Sequence, residues 1–258
     1  MSGMGFESDL AALAWQVEMG ADACIEDAPV DRFAAAEAAK VAAKAPPPAE
    51  APPPPVETGM DWAAEAARLA TAADSLDVLD AAIRGFEGCE LKKGARNTVV
   101  SDGQPGARVM IIGEAPGRDE DRLGKPFVGQ AGQLLDRMFA AIDLARTADD
   151  PMKALYITNV VYWRPPQNRA PTRDEMAMLR PFALRHIELA KPEFLVLMGN
   201  TACGTLLENP PGITKLRGNW QEVAGLPALP MMHPAALLRN PAQKRGSWED
   251  LLTLKGRL

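Results

Sequence analysis

Cysteine is scarce in this sequence. The 258 residues include only three, Cys24, Cys89 and Cys203, which are odd in number and far apart, so we do not expect a disulfide framework. No run of roughly eighteen consecutive apolar residues is present, which excludes a membrane-spanning helix. The N-terminus also lacks the basic stretch and apolar run of a signal peptide. Together these absences predict a soluble, cytoplasmic protein without membrane contact.

An excess of basic residues is also lacking, since the net charge is −6. The acidity is concentrated at one end, because residues 1–60 hold three basic and ten acidic residues. From totals of 28 basic and 34 acidic residues, this leaves 25 and 24 for the remainder. A nearly neutral domain can still carry a basic face, so DNA binding is not excluded.

Composition divides the chain into three parts. Residues 1–33 contain apolar residues at helical spacing over 7–20, which predict a short helix and a candidate site for a protein partner. Residues 34–60 are rich in Ala and Pro without an aromatic residue, so they cannot bury enough surface to offset the entropy of ordering. We expect a disordered linker there. Residues 61–258 form the main domain, which we expect to be monomeric.

Helical and strand-like segments alternate within 61–258. Helices are expected at 61–85, 131–143, 172–190, 200–207 and 247–256, and strands at 107–112, 155–161, 193–198 and 228–232. Short apolar strands between helices predict an α/β fold, a three-layer αβα arrangement with a mostly parallel four-stranded central sheet. Ligands of such sheets bind beyond the carboxyl ends of the strands.

Polar and small residues follow all four expected strands. Gly113–Gly117 follows the first strand, Asn159 ends the second, Gly199 and Asn200 end the third, and His233 follows the fourth. Each could be ordinary turn chemistry when taken alone. Because the carboxyl ends of parallel strands share one edge of the sheet, together they predict a single site.

The loop after the first strand reads GEAPGRDEDRLGKPFVG, and its glycines raise the question of phosphate binding. A P-loop requires Lys and then Ser or Thr after its last glycine, which this loop lacks. Pro116 removes a backbone donor, and four acidic residues would repel a phosphate. Gly113 and Ala115 instead allow close approach to something flat and neutral. Phe127 either offers such a ligand an aromatic face or packs in the core.

Three motifs carry a family resemblance. GEAPGRDEDRLGKPFVGQAGQLL, YITNVVYWRPPQNRAPT and HPAALLRNP resemble, in order and spacing, those of the family-four uracil-DNA glycosylases. The resemblance covers roughly 86–255. It implies excision of uracil from DNA during base excision repair, by cleavage of the N-glycosidic bond of a nucleotide flipped out of the helix.

The resemblance also implies how uracil is read. Phe127 matches the residue that stacks on the base. Asn159 matches the residue whose amide accepts from N3–H and donates to O4, a pattern that cytosine reverses. Glu120 matches the position near C5 that excludes the methyl group of thymine. The backbone around Glu114 and Ala115 lines the pocket near O2.

The resemblance also implies how the glycosidic bond is broken. His233 matches the family's histidine, which donates a hydrogen bond towards uracil O2. Negative charge develops on the departing base, so such a donor acts most strongly in the transition state. Ala115 stands where related families place a water-activating acid. Glu114, the backbone or the DNA itself must therefore hold the water, and the sequence does not decide among them. His186, within an expected helix, is interpreted as a surface or packing residue.

Contacts to DNA are expected from basic residues beside the pocket. Those in the two flanking loops are Arg164, Arg169, Arg239, Lys244 and Arg245. They match the placement of phosphate contacts, although solvated charge is the alternative for each. Leu237, four residues beyond His233, matches the apolar wedge that fills the vacated base position.

One feature departs from the family, whose members usually hold an iron–sulfur cluster through four cysteines. Only Cys89 is kept, and Phe86, Trp163 and Leu179 occupy the other three positions. None of these three side chains can ligate iron. We therefore predict a protein without cluster, metal or other cofactor, in which large apolar side chains pack where the cluster would lie.

Three alternative functions compete with this interpretation. A catalytically silent relative would bind uracil-containing DNA or a repair or replication partner, but the pocket motifs are intact. Covalent capture of the abasic sugar requires a histidine-bearing insertion, whereas RLGKPFVG is continuous. A nucleotide-binding module is disfavoured by the acidic loop. The sequence therefore favours an active glycosylase.

Overall fold

The structure is a computed structural model that describes residues 13–17 and 60–258. The chain divides into two units, 1–57 and 58–258. Of the helix expected at 7–20, only 13–17 is described; this part is helical, and its side chains are exposed. The expected linker, apart from Met60, lies outside the described residues.

The main domain is built around six strands. They are β1 (Ser101–Gly103), β2 (Val109–Gly113), β3 (Leu155–Asn159), β4 (Phe194–Met198), β5 (Gln221–Val223) and β6 (Leu226–Met231). In residues 60–258 the α-helices are α1 (Trp62–Ala72), α2 (Leu76–Gly85), α3 (Leu91–Gly94), α4 (Arg118–Leu123), α5 (Gln130–Ala140), α6 (Arg173–Ala190), α7 (Gly199–Leu206), α8 (Ile213–Leu216), α9 (Pro234–Arg239) and α10 (Lys244–Lys255). Short 3-10 helices lie at Pro166–Asn168 and Pro241–Gln243.

The strands form one mixed sheet in the order β1-β3-β2-β4-β6-β5. The four central strands are parallel, as the apolar runs of β2 and β3 predict for strands covered on both faces. The edge strands β1 and β5 are antiparallel to their neighbours. The expected count of four strands is therefore wrong, because two edge strands of three residues each were missed.

The register of the central strands places their carboxyl ends at one edge. Gly113 of β2 pairs with Asn159 of β3, and Met198 of β4 pairs with Met231 of β6. The loops that follow these strands therefore begin side by side. This is the edge at which the sequence predicted a site.

Side chains of β2 alternate between two apolar clusters, one on each face of the sheet. Met110 and Ile112 point into the larger cluster, and Val109 and Ile111 into the smaller one. Helices α1, α2 and α6 contribute to the larger cluster, and α5 and α10 to the smaller. Three layers result, as expected. No helix in the described ranges is both long enough and apolar enough to cross a membrane.

Two helix predictions need correction. The segment 61–85 is not one helix but two, because Ser75 caps α2 by accepting a hydrogen bond from the Val78 N–H. Two short helices, α4 and α9, were missed inside the loops that form the expected site. Each has six residues, too few for a hydrophobic period to be read.

Candidate active site

A cavity of about 370 Å³ opens at the carboxyl edge of the sheet. Its lining includes six of the predicted pocket residues, namely Glu114, Ala115, Glu120, Phe127, Asn159 and His233. Gly113, the seventh, does not line the cavity but packs against Phe127 and Asn159. The loops after β2, β3 and β6 therefore meet in one place, as the strand-end argument predicted for three of the four strands. Asn200, after β4, does not line this cavity, because its side chain accepts a hydrogen bond from the Ile213 N–H.

Phe127 lies on the cavity wall in an unusual backbone conformation. Its φ angle is 53°, in the left-handed region that bulky residues rarely adopt. The ring packs against Gly113, where an added Cβ would lie 2.5 Å from ring carbons. The Phe127 ring also stacks on that of His233, with 5.4 Å between centroids and 27° between planes. Glycine at 113 is therefore required for the aromatic wall.

Glu120 braces the backbone around this wall, a function that sequence reasoning missed. One carboxylate oxygen accepts from the N–H groups of Val128 and Gly129, both at 2.9 Å. The other accepts from the Gly117 N–H at 3.1 Å. The side chain thus ties the two ends of the loop together beside the cavity. Its predicted effect on thymine stays a prediction.

Asn159 ends β3 and is buried, with 2% of its surface exposed. Within residues 60–258, no protein group forms a hydrogen bond with its side-chain amide, although the residue lines the cavity. An added Cβ at Gly113 would lie 2.4 Å from Asn159 Oδ1. The amide is open to the cavity, where a ligand can pair with it in place of water.

His233 caps the N-terminus of α9. Its Nδ1 accepts from the Ala235 N–H at 3.2 Å, which places the ring proton on Nε2 in the neutral form. Burial lowers the pKa of His233 to about 4, and nearby Arg239 lowers it further while Glu120 opposes the shift. At neutral pH the ring is therefore uncharged and keeps one donor, Nε2–H. Gly199, at φ 90°, permits the close approach, since an added Cβ would lie 3.1 Å from that of His233.

Glu114 has a partner that the sequence did not reveal. Thr201, in α7, donates its hydroxyl hydrogen to Glu114 Oε2 over 2.6 Å. The two residues are 87 positions apart, so no local pattern connects them. The hydrogen bond fixes the half-buried carboxylate at the cavity wall.

The sequence that forms this site is similar to that of known proteins. Residues 100–252, more than half of the chain, match the sequence model of the uracil DNA glycosylase superfamily. The chain belongs to this superfamily.

Individual relatives agree with that membership. The type-4 uracil-DNA glycosylase of Thermotoga maritima is 36% identical over 174 residues, which cover 66% of this chain and 86% of that protein. The type-4 enzyme of Saccharolobus solfataricus is 37% identical over 190 residues, or 70% of this chain and 86% of its own length. That of Archaeoglobus fulgidus is 36% identical over 185 residues, covering 69% and 89%.

The basic residues that this glycosylase-superfamily domain was expected to aim at DNA are placed unequally. Arg239 lines the cavity, and Arg164 lines an adjoining groove and donates to Asn168 Oδ1 at 2.8 Å. Arg169 instead forms a two-pronged ion pair with Glu175, at 2.6 and 2.9 Å. That pair raises the pKa of Arg169 and partly neutralises its charge.

Two further basic residues, Lys244 and Arg245, lie in the first turn of α10 rather than in the loop that the sequence had suggested. Lys244 borders a small apolar pocket beside Trp248. The Arg245 side chain is 92% exposed, with its nitrogen 3.7 Å from a Glu249 oxygen. Neither lines the cavity itself.

The expected wedge, Leu237, is buried, with only 1% of its surface exposed. It packs in the larger apolar cluster and also borders the pocket beside α10. The next residue, Leu238, is 40% exposed. A wedge has to reach out of the protein, which the buried Leu237 does not do in this conformation.

Phe86, Trp163 and Leu179 stand where the family resemblance implies iron-ligating cysteines. All three belong to the larger apolar cluster. Phe86 and Trp163 are each 1% exposed, and Leu179 is fully buried. The Phe86 ring contacts Phe182 edge-on, with 5.3 Å between centroids. Cys89 is buried in the same cluster, and burial raises the pKa of its thiol. Apolar side chains that fill this space do not fit an iron–sulfur cluster.

Elsewhere the described ranges also lack a metal-binding arrangement. Within 13–17 and 60–258, no group of three or more His, Cys, Asp or Glu side chains is placed to hold an ion. Cys203 is buried in the larger cluster, and burial raises the pKa of its thiol to about 12.

Proposed function

We propose that this protein excises uracil from DNA, binding a uracil nucleotide flipped out of the helix and hydrolysing its N-glycosidic bond to leave an abasic site. The observation that carries the proposal is the Asn159 amide in the cavity wall. It lines a cavity that also contains Phe127 and the neutral His233, while no group in residues 60–258 pairs with it. The similarity to three type-4 uracil-DNA glycosylases supports the same conclusion.

Recognition rests on complementary polarity. The Asn159 side chain offers an acceptor to uracil N3–H and a donor to O4, whereas cytosine presents a donor and an acceptor in reverse. A mismatched base would leave buried polar groups unpaired, which costs about 1–3 kcal/mol for each group. Stacking on Phe127 contributes about 1–3 kcal/mol without discriminating among bases. Glu120 keeps the wall near C5 rigid, which would exclude the methyl group of thymine.

His233 acts on the leaving base. Its Nε2–H donates to O2, where negative charge accumulates as the bond to the sugar breaks. A neutral donor suits this task, because no positive charge has to be stripped of water inside the cavity. Glu114 positions the attacking water with the carboxylate oxygen that Thr201 does not occupy.

DNA is held around the mouth of the cavity. Arg239 and Arg164 contact phosphates beside the flipped nucleotide, Lys244 and Arg245 contribute charge farther along, and Leu238 enters the space that the base leaves. We expect a smaller contribution from Arg169, whose guanidinium is paired.

The protein works without an iron–sulfur cluster. Support comes from Phe86, Trp163 and Leu179, which are each buried in the larger apolar cluster and stand at three of the four positions where the family has cysteines. Iron analysis of purified protein should find substoichiometric iron and no cluster absorption. Stoichiometric iron would overturn this part of the proposal.

The experiment that tests the activity is uracil release from labelled oligonucleotides. Single-stranded U, and U opposite G or A, should yield free uracil and an alkali-labile site without added metal, and matched strands with T or C should not. Asn159→Ala should abolish release, and Asn219→Ala, the same change at an exposed residue, should not. Absence of release from every uracil strand would refute the proposal.

A further inference from the structure

Arg146 lies outside the cavity, yet its side chain reaches the backbone that carries Phe127. We infer that Arg146 is a positioning residue for base recognition: with Glu120 it forms a clamp that holds the Phe127 turn, residues 126–129, and keeps Phe127 in its left-handed conformation. The inference rests on the proposed function, since it concerns the wall on which uracil would stack. Nothing in the sequence pattern around Arg146 indicates this.

The Phe127 turn needs support from its surroundings. An aromatic residue at φ 53° is strained, and such conformations persist only where neighbouring groups over-determine them. The turn is also pressed against backbone, because an added Cβ at Gly132 would lie 1.8 Å from the Phe127 carbonyl oxygen. A relaxed turn would move the ring away from its place over the cavity.

Arg146 supplies this support from one side. Its guanidinium donates to the carbonyl oxygens of Pro126, at 2.9 Å, and Phe127, at 2.8 Å. The side chain is 11% exposed, so water competes little for these bonds. Asp102 and Asp136 accept from the same guanidinium at 3.0 and 2.9 Å, which balances its charge and fixes its orientation.

Glu120 supplies the support from the other side, because it accepts from the N–H groups of Val128 and Gly129. The backbone of four successive residues is thus held. The Arg146 guanidinium binds the first two carbonyl oxygens, and the Glu120 carboxylate binds the next two N–H groups. Only arginine offers the planar array of donors that can reach two carbonyls and two carboxylates together. Lysine at 146 would keep the charge and lose this geometry.

The clamp is tested first by a signal that does not depend on activity. The seven phenylalanines are labelled with 4-fluorophenylalanine, and Phe127→Leu assigns the Phe127 resonance in the ¹⁹F NMR spectrum. In Arg146→Lys and Arg146→Ala, we expect that resonance to shift or broaden while the resonances of core rings such as Phe139 stay in place. An unchanged Phe127 resonance would overturn the inference.

Single-turnover uracil release then tests the consequence. Both Arg146 variants should be slower by about 100-fold, the effect of a small misplacement of a binding group, with unaltered binding to uracil-free DNA. Guanidinium ion should partly rescue Arg146→Ala, whereas sodium chloride at equal ionic strength should not. Arg68→Ala, which removes an exposed arginine of α1, is the matched control.

The outcomes separate the two proposals. If the wild type releases no uracil but the Phe127 resonance still moves, the activity fails and the clamp stands. If the wild type is active and both Arg146 variants release uracil at its rate, the positioning role is refuted.

Discussion

Replacing Trp163 with alanine tests whether apolar packing replaces the family's metal cluster as a link in the fold. Trp163 is 1% exposed, and truncation of a core Trp costs about 3–5 kcal/mol of the free energy of unfolding. Its Nε1–H donates to Thr98 Oγ1 at 3.0 Å, but Thr98 is half-buried and water can replace this donor. The loss of apolar packing therefore accounts for most of the expected decrease in the free energy of unfolding. Against a total of about 5–15 kcal/mol, the variant should stay folded but be far less stable.

Urea unfolding followed by circular dichroism measures the effect. The matched control is Trp248→Ala, because Trp248 is 44% exposed on α10 and its loss should cost on the order of 1 kcal/mol or less. A loss below about 1 kcal/mol for Trp163→Ala, with an unchanged denaturant slope, would refute the packing argument.

Three further predictions concern the site, the wedge and the two histidines of the chain. Asn159→Ala should nearly abolish uracil release with DNA binding retained, and His233→Ala should slow the chemical step by about 10²–10³-fold; wild-type rates in single-turnover assays would contradict both. Leu238→Ala should weaken excision from duplex more than from single strands, whereas Leu237→Ala should mainly lower the unfolding free energy; the reverse result would restore Leu237 as the wedge. Burial lowers the pKa of His186 and of His233 to about 4, so folded protein binds fewer protons than unfolded protein between pH 6.5 and 4. As the pH falls from 6.5 to 4, the free energy of unfolding should therefore decrease by about 3 kcal/mol for each histidine. In urea titrations at pH 6.5 and at pH 4, His186→Gln should show a decrease that is smaller by about 3 kcal/mol than that of the wild type.

The residues that form the cavity could be predicted because their signals lie at strand ends. Gly113, Asn159 and His233 each follow a short apolar run, and the parallel arrangement of those runs brings their ends to one edge. The start of α6 could also be predicted, because Thr172 and Glu175 form a capping box there. Local pattern was sufficient in these places.

Contacts between distant segments could not be predicted in this way. Thr201 and Glu114 meet only because α7 lies beside the loop after β2. No residue pattern around Thr201 indicates this contact. The exchange of Leu237 for Leu238 as the exposed side chain depends on the rotation of α9, which two adjacent leucines cannot indicate. The boundary between α1 and α2 can be predicted from the sequence, because Ser75 stands before an apolar helical period and is an N-cap signal.

The apolar cluster around Phe86 also has a consequence for assembly in the cell. In the proposed protein without a cluster, a domain joined at this place by side chains completes its fold as the chain emerges, without waiting for a maturation machinery to deliver a cofactor. Both described thiols, Cys89 and Cys203, are buried with raised pKa values, so little thiolate is available to oxidants. Repair by such a protein would continue through iron starvation and oxidative stress, the conditions in which lesions accumulate and metal cofactors are hardest to maintain.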